Sequence, residues 1–135
     1  MTRLSSPSAQ RGSAQRGRDG EDLAAAFLRV KGAQIIARNW RPSGTGVRGE
    51  IDIIAQCGEF LCFVEVKTRR GQAHGAPQEA VNGAKQRQIS RLANAYLSLQ
   101  NDADVPCRFD IIEVWLAPPQ KPRIHWLENA FDFQG

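Results

Sequence analysis

Long apolar runs are missing from this chain of 135 residues, and no stretch approaches the roughly 20 apolar residues that a membrane-crossing helix requires. The N-terminus also lacks the apolar centre of a secretory signal. Cysteine is scarce and odd in number: Cys57, Cys62 and Cys107 show no metal-ligand spacing. Such a set builds neither a disulfide framework nor a zinc site, and we expect free thiols in a cytoplasmic protein. Histidine is limited to His74 and His125. No Ser-His-Asp or Cys-His set has a recognisable spacing, so nucleophilic triads find no support. His74 reads as polar loop surface, and His125, in a short strand, as structural.

Net positive charge is absent from most of the chain, although the whole carries +4. Arg3, Arg11, Arg16 and Arg18 supply that excess within residues 1–18, which contain no acid. The same segment repeats Ser-Ala-Gln-Arg-Gly at 8–12 and 13–17 and holds nothing able to form a core, so it reads as a disordered basic tail. The remainder, 19–135, is long enough for one domain with a real core. Its charges balance, but Arg29 to Arg91 holds eleven bases against five acids. A basic sector of this kind suits a polyanionic partner better than the overall charge suggests.

The chain reads as α-β-β-β-α-β-β. Asp19 is placed to cap a first helix, with Glu21 and Asp22 in its first turn and Leu23, Ala26, Phe27 and Val30 along one face. Gly32 ends that helix. Ala33 to Trp40 forms a short strand, followed by Arg41 and a glycine-containing loop. Pro77, with Glu79 nearby, starts a second helix that ends near Gln100; Val81, Ala84, Ile89, Leu92, Ala93, Tyr96 and Leu97 supply its apolar face. Cys107 to Leu116 and Arg123 to Leu127 are further strands. A mixed central sheet flanked by helices, an α/β fold, follows from this order.

The unusual stretch is Gly49 to Lys67. It has the alternation of a β-hairpin turning near Cys57-Gly58-Glu59, yet carries acids where core strands carry apolar residues. An even-length loop sets Asp52 opposite Glu65, or opposite Phe63 with Glu65 one step diagonal. In both registers the carboxylates share a face, with Cβ atoms roughly 5 to 8 Å apart. An odd-length loop separates them. Lys67 shares the strand face of Glu65. Two acids and a lysine in an apolar sheet demand compensation. Mg²⁺ or Mn²⁺ would supply it, held by Asp52, Glu65 and a main-chain carbonyl near Val66. Lys67 would then stabilise a charged transition state, and Glu21 would join if the helix start docks beside the hairpin.

The run Gly49-Glu50-Ile51-Asp52-Ile53-Ile54-Ala55 followed by Phe63-Val64-Glu65-Val66-Lys67-Thr68-Arg69 resembles the YraN family of small bacterial proteins. The likeness continues through Gly20-Glu21, Arg38-Asn39-Trp40-Arg41, Pro77-x-Glu79-Ala80-Val81-x3-Lys85, Arg108-Phe109-Asp110 and Asn129-Ala130-Phe131. That family is similar to PD-(D/E)XK nucleases of the restriction-endonuclease-like fold, archaeal Holliday-junction resolvases in particular. The resemblance implies metal ligands at Asp52 and Glu65, a catalytic lysine at Lys67, an auxiliary acid at Glu21 and metal-dependent cleavage of a DNA phosphodiester. Glu50-Ile51 stands where the superfamily's name motif has proline next to the aspartate. Arg41, Arg69, Arg70 and Lys85 are the candidate phosphate contacts, and a homodimer suits a symmetric junction needing two cuts. The alternatives are a non-catalytic nucleic-acid-binding module on the same fold, and a scaffold working through the apolar surface around Trp126 and Phe131.

Overall fold

The computed structural model describes residues 13–70, 81–101 and 104–135. Helix α1 runs Ser13–Val30, followed by strands β1 (Gln34–Trp40), β2 (Ile51–Cys57) and β3 (Phe60–Arg70). Helix α2 (Gly83–Gln100) then leads to β4 (Cys107–Leu116) and β5 (Arg123–Phe131). The element order is the one the hydrophobic pattern predicts. Five strands form one sheet in the order β1-β2-β3-β4-β5, antiparallel throughout except for the parallel pair β3–β4. A parallel neighbour needs a crossover, and α2 provides it.

Each helix covers one face. Ala24, Ala25 and Leu28 of α1 bury Ile53, Ala55, Cys62, Val64, Ile112 and Val114. Ile89, Leu92, Ala93 and Tyr96 of α2 bury Ile54, Leu61, Phe63, Phe109 and Ile111 on the opposite face. The central strands β3 and β4 are therefore apolar on both sides, and residues 61–65 and 109–115 are all buried. Ile51 joins the α2-side cluster instead of following Ile53, so the simple alternation expected along β2 fails at its first residue.

Three boundaries differ from expectation. Helix α1 begins at Ser13, six residues before Asp19, because Ala, Gln and Arg are good helix formers and extend the helix ahead of its apolar face. Residues 13–18, expected to be disordered, are thus helical; residues 1–12 lie outside the described residues. Asp19 is no cap, and Glu21 sits in the helix body beyond the first turn. Helix α2 begins at Gly83, where the Asn82 side chain accepts a hydrogen bond from the Lys85 N–H at 3.0 Å. The Pro77-Glu79 start and His74 lie outside the described residues. Strand β5 runs on to Phe131, whose ring stacks on Phe109 at 4.9 Å.

Candidate active site

The hairpin pairs Cys57 with Phe60 and Ile53 with Val64. Its loop is therefore the two residues Gly58-Glu59, and the same register carried one step further sets Asp52 opposite Glu65. The ladder has stopped by then. The Val66 N–H donates to Asp52 Oδ2 at 2.8 Å, so a carboxylate accepts the bond a main-chain carbonyl would otherwise take. This anchors Asp52 to the strand that carries Glu65.

Glu65 is 6% exposed. Burial pushes the Asp52 carboxyl up to about 8, and the negative charge and hydrogen bond of Glu65 push in the same direction. The Val66 N–H and the Lys85 ammonium pull it down without prevailing. Ionising Asp52 beside Glu65 is therefore costly, and the protonated form of Asp52 is favoured at neutral pH. Lys85, from the first turn of α2, places Nζ 3.4 Å from Glu65 Oε2.

Glu21 reaches this pair from the other helix. Gly20 makes the approach possible: a Cβ there would fall 1.9 Å from Thr68 Oγ1, so only glycine lets α1 cross β3 at this depth. Glu21 then accepts a hydrogen bond from Asn39 Nδ2 at 2.7 Å, and Arg38 Nη2 donates to Asp22 at 2.7 Å. Burial raises the Glu21 pKa, Asn39 opposes the rise, and Asp52 and Glu50 add to it. The pairs Arg38↔Ile53 and Trp40↔Ile51 set Asn39 opposite Asp52, at a left-handed φ of 50°. Asn39 is the residue sequence reasoning passed over. Its signal was an amide in the last turns of a strand beside a basic and an aromatic residue.

The other predicted residues separate into two groups. Lys67 is half-buried on the same face as Glu65, beside Glu113 of β4 in the parallel register. Lys85 lies against Glu65, where it acts as a counter-ion to the acid. Arg69 donates to Glu113 Oε2 at 2.5 Å. Arg41 pairs with Glu50 at 2.9 Å and is well exposed. Arg70 is exposed and, by strand alternation, belongs to the face opposite Lys67 and Arg69.

Asp110 is a structural acid. It is 0% exposed and accepts from Arg108 Nε and Nη2, Trp126 Nε1 and the Asn129 N–H, all within 3.0 Å. Four donors leave it no role in chemistry.

A hard divalent cation fits the Asp52–Glu65 pair. The carboxyls face one another, Asp52 is anchored by the Val66 N–H, and the Lys85 ammonium beside Glu65 does not prevent burial from raising the Asp52 pKa, which is the state a bound cation relieves. Among the described residues, no group of three His, Cys, Asp or Glu is arranged to hold a metal, so waters and main-chain oxygen would complete the shell.

The chain matches the model of "Uncharacterised protein family UPF0102" over residues 20–114. A UPF0102 protein of Symbiobacterium thermophilum is 50% identical over 115 residues, covering 85% of this chain and 94% of the relative. A UPF0102 protein of Geobacter sulfurreducens is 50% identical over 113 residues, covering 84% and 85%. Among solved structures, Pyrococcus furiosus SfsA in complex with Ca²⁺ is similar at a TM-score of 0.36 and 11% identity; the match covers 86% of this chain and 63% of that one. The matched span begins at Gly20 and includes the hairpin, α1 from Gly20 onward, all of α2 and most of β4, and the chain belongs to the UPF0102 family.

Proposed function

We propose that this protein is a metal-dependent endonuclease that hydrolyses DNA phosphodiesters, acting at branched or junction structures. The observation that carries the reading is the Asp52–Glu65 pair, two carboxyls set across from one another at the point where β2 and β3 part, with Asp52 tied to β3 by the Val66 N–H. Asp52 and Glu65 would hold Mg²⁺ or Mn²⁺. When bound, the cation would lower the pKa of a coordinated water and neutralise charge on a phosphate. Asp52 is kept in place by Val66, and Glu65 by its burial. Lys67, two residues along the same face, would meet the charge that develops on phosphate oxygens. Glu21, with its pKa raised, supplies an acid able to exchange a proton at the edge of the site. The free thiols of Cys57, Cys62 and Cys107 support a reducing, cytoplasmic setting. A homodimer would bring two such sites to a symmetric junction.

A second reading, a nucleic-acid-binding module without catalysis, draws on the lack of a third carboxylate ligand among the described residues. Cleavage of labelled duplex, flap, single-stranded and four-way-junction DNA with Mg²⁺ or Mn²⁺ separates the two. We expect wild type to cut and Glu65→Ala and Lys67→Ala to fail. Equal cutting by all three would remove the proposed chemistry, and binding without cutting under either metal would favour the module.

A further inference from the structure

The face of the sheet that carries Glu65 does not end at the acid pair. On this face the residues of β3, β4 and β5 form rows set by the strand register. Phe63, Phe109, Ile111 and Leu127 make the apolar part of it, under α2. Beyond them the rows change character. Lys67 stands beside Glu113, which stands beside His125; Arg69 stands beside Trp115, which stands beside Arg123.

Trp115 is 6% exposed, with a guanidinium over its ring from each side: Arg69 at 5.6 Å and Arg123 at 5.7 Å. Glu113 is buried and bonded to Arg69, so the single acid of these rows is neutralised within the sheet. Arg123 and His125 are exposed on the edge strand, and among the described residues no carboxylate lies within ion-pair distance of Arg123. Lys67, Arg69 and Arg123 thus present three permanent cations against one buried, compensated acid. Stacking on Trp115 also restricts the two guanidiniums, which lowers the entropy lost when their N–H edges meet a phosphate.

We infer that Lys67, together with Arg69 and Arg123 laid over Trp115, forms a platform for the DNA backbone on one side of the bond to be cut. The inference rests on the nuclease reading and extends it to the path of the substrate. Two strand spacings and four residues of rise put Arg123 about 16 Å from Glu65. That is about five base-pair steps along a duplex, so Arg123 holds a phosphate remote from the scissile one. Its effect is on binding, without direct participation in the chemistry.

The test is fluorescence anisotropy of a labelled DNA duplex with the full chain in EDTA, over a series of salt concentrations, using wild type, Arg123→Glu, Arg123→Lys and Arg29→Glu. Arg29 is exposed in the last turn of α1, away from the platform, and its reversal controls for net charge. Arg123→Glu should weaken binding by roughly tenfold and lower the slope of log K against log salt by about 1. Arg123→Lys should retain the slope and lose only part of the affinity. In Mg²⁺, Arg123→Glu should raise KM and leave kcat near wild type. Wild-type affinity and slope in Arg123→Glu, an equal loss in Arg29→Glu, or no binding by wild type overturns the platform. Arg123-dependent binding with no cleavage under any metal supports the platform and refutes the nuclease. Cleavage by wild type with no Arg123 dependence does the reverse.

Discussion

Replacing Asp52 by asparagine should make the metal-free protein more stable at alkaline pH. In the folded chain the Asp52 carboxyl is pushed up to about 8, against 3.8 for the free group. Between those limits the fold holds a proton that the unfolded chain has released. Stability therefore falls as pH rises from about 4 to about 8, and the full cost stands above that window. Four pKa units at about 1.36 kcal/mol each set an upper bound of about 5 kcal/mol. Water reaching the parted strands and the Lys85 ammonium relax an ionised pair, so we expect about 2–3 kcal/mol. Asparagine has no charge to desolvate, still accepts from the Val66 N–H, and donates its amide to Glu65. For a domain of this size 1 kcal/mol moves Tm by about 3 °C, so Asp52→Asn should melt about 6–9 °C above wild type near pH 9 in EDTA. Near pH 5 the two should differ by less than about 3 °C. Added Mn²⁺ should raise the wild-type Tm near pH 9 and leave the variant unmoved. An Asp52→Asn protein that melts below wild type near pH 9 would mean the pair is not repulsive, and the reading of the site would fail with it.

Other outcomes follow from the packing. Gly20→Ala should cost about 2–4 kcal/mol in urea unfolding, because its Cβ would overlap the β-branched Thr68 and push α1 from the sheet. Lys85→Met should raise Mn²⁺ affinity about threefold by calorimetry, since the ammonium competes for Glu65; weaker Mn²⁺ binding would show that Lys85 organises the site. Asp110→Ala should destabilise by about 3–5 kcal/mol, leaving Arg108, Trp126 and Asn129 without their shared acceptor. A change under about 1 kcal/mol in thermal melts would mean that water replaces the carboxylate.

The hairpin was legible because its two constraints are local. Strand alternation puts Asp52 and Glu65 on one face for any even loop, and the Cys57–Phe60 pair shows that the loop has two residues. The first helix was legible as an element but not at its start, since Ser13 to Arg18 has helix propensity without an apolar face to reveal it, nor in its buried face, which is Ala24, Ala25 and Leu28 while Ala26 and Val30 are exposed. Lys85 and Arg69 were recognised as basic residues near the site, yet their partners Glu65 and Glu113 are set by α2 packing and by the parallel register. Neither leaves a periodic trace. Asn39 and Arg38 stayed hidden for the same reason, because their bonds to Glu21 and Asp22 span sixteen or more positions of chain. Only the exclusion volume at Gly20 shows why the glycine precedes the acid.

The two edges of the sheet share a feature with a consequence for self-association. In β1 the register slips between Ile35 and Ala37 and Asn39 turns left-handed; in β5 the register slips opposite Asp110 and Asn129 does the same. Each edge is kinked, so neither offers the flat row of free N–H and C=O groups that a foreign strand needs. Continuous sheets across two copies, and fibrillar stacking through these edges, are disfavoured by the backbone itself. A homodimer of this chain would have to be built from its helices or its loops.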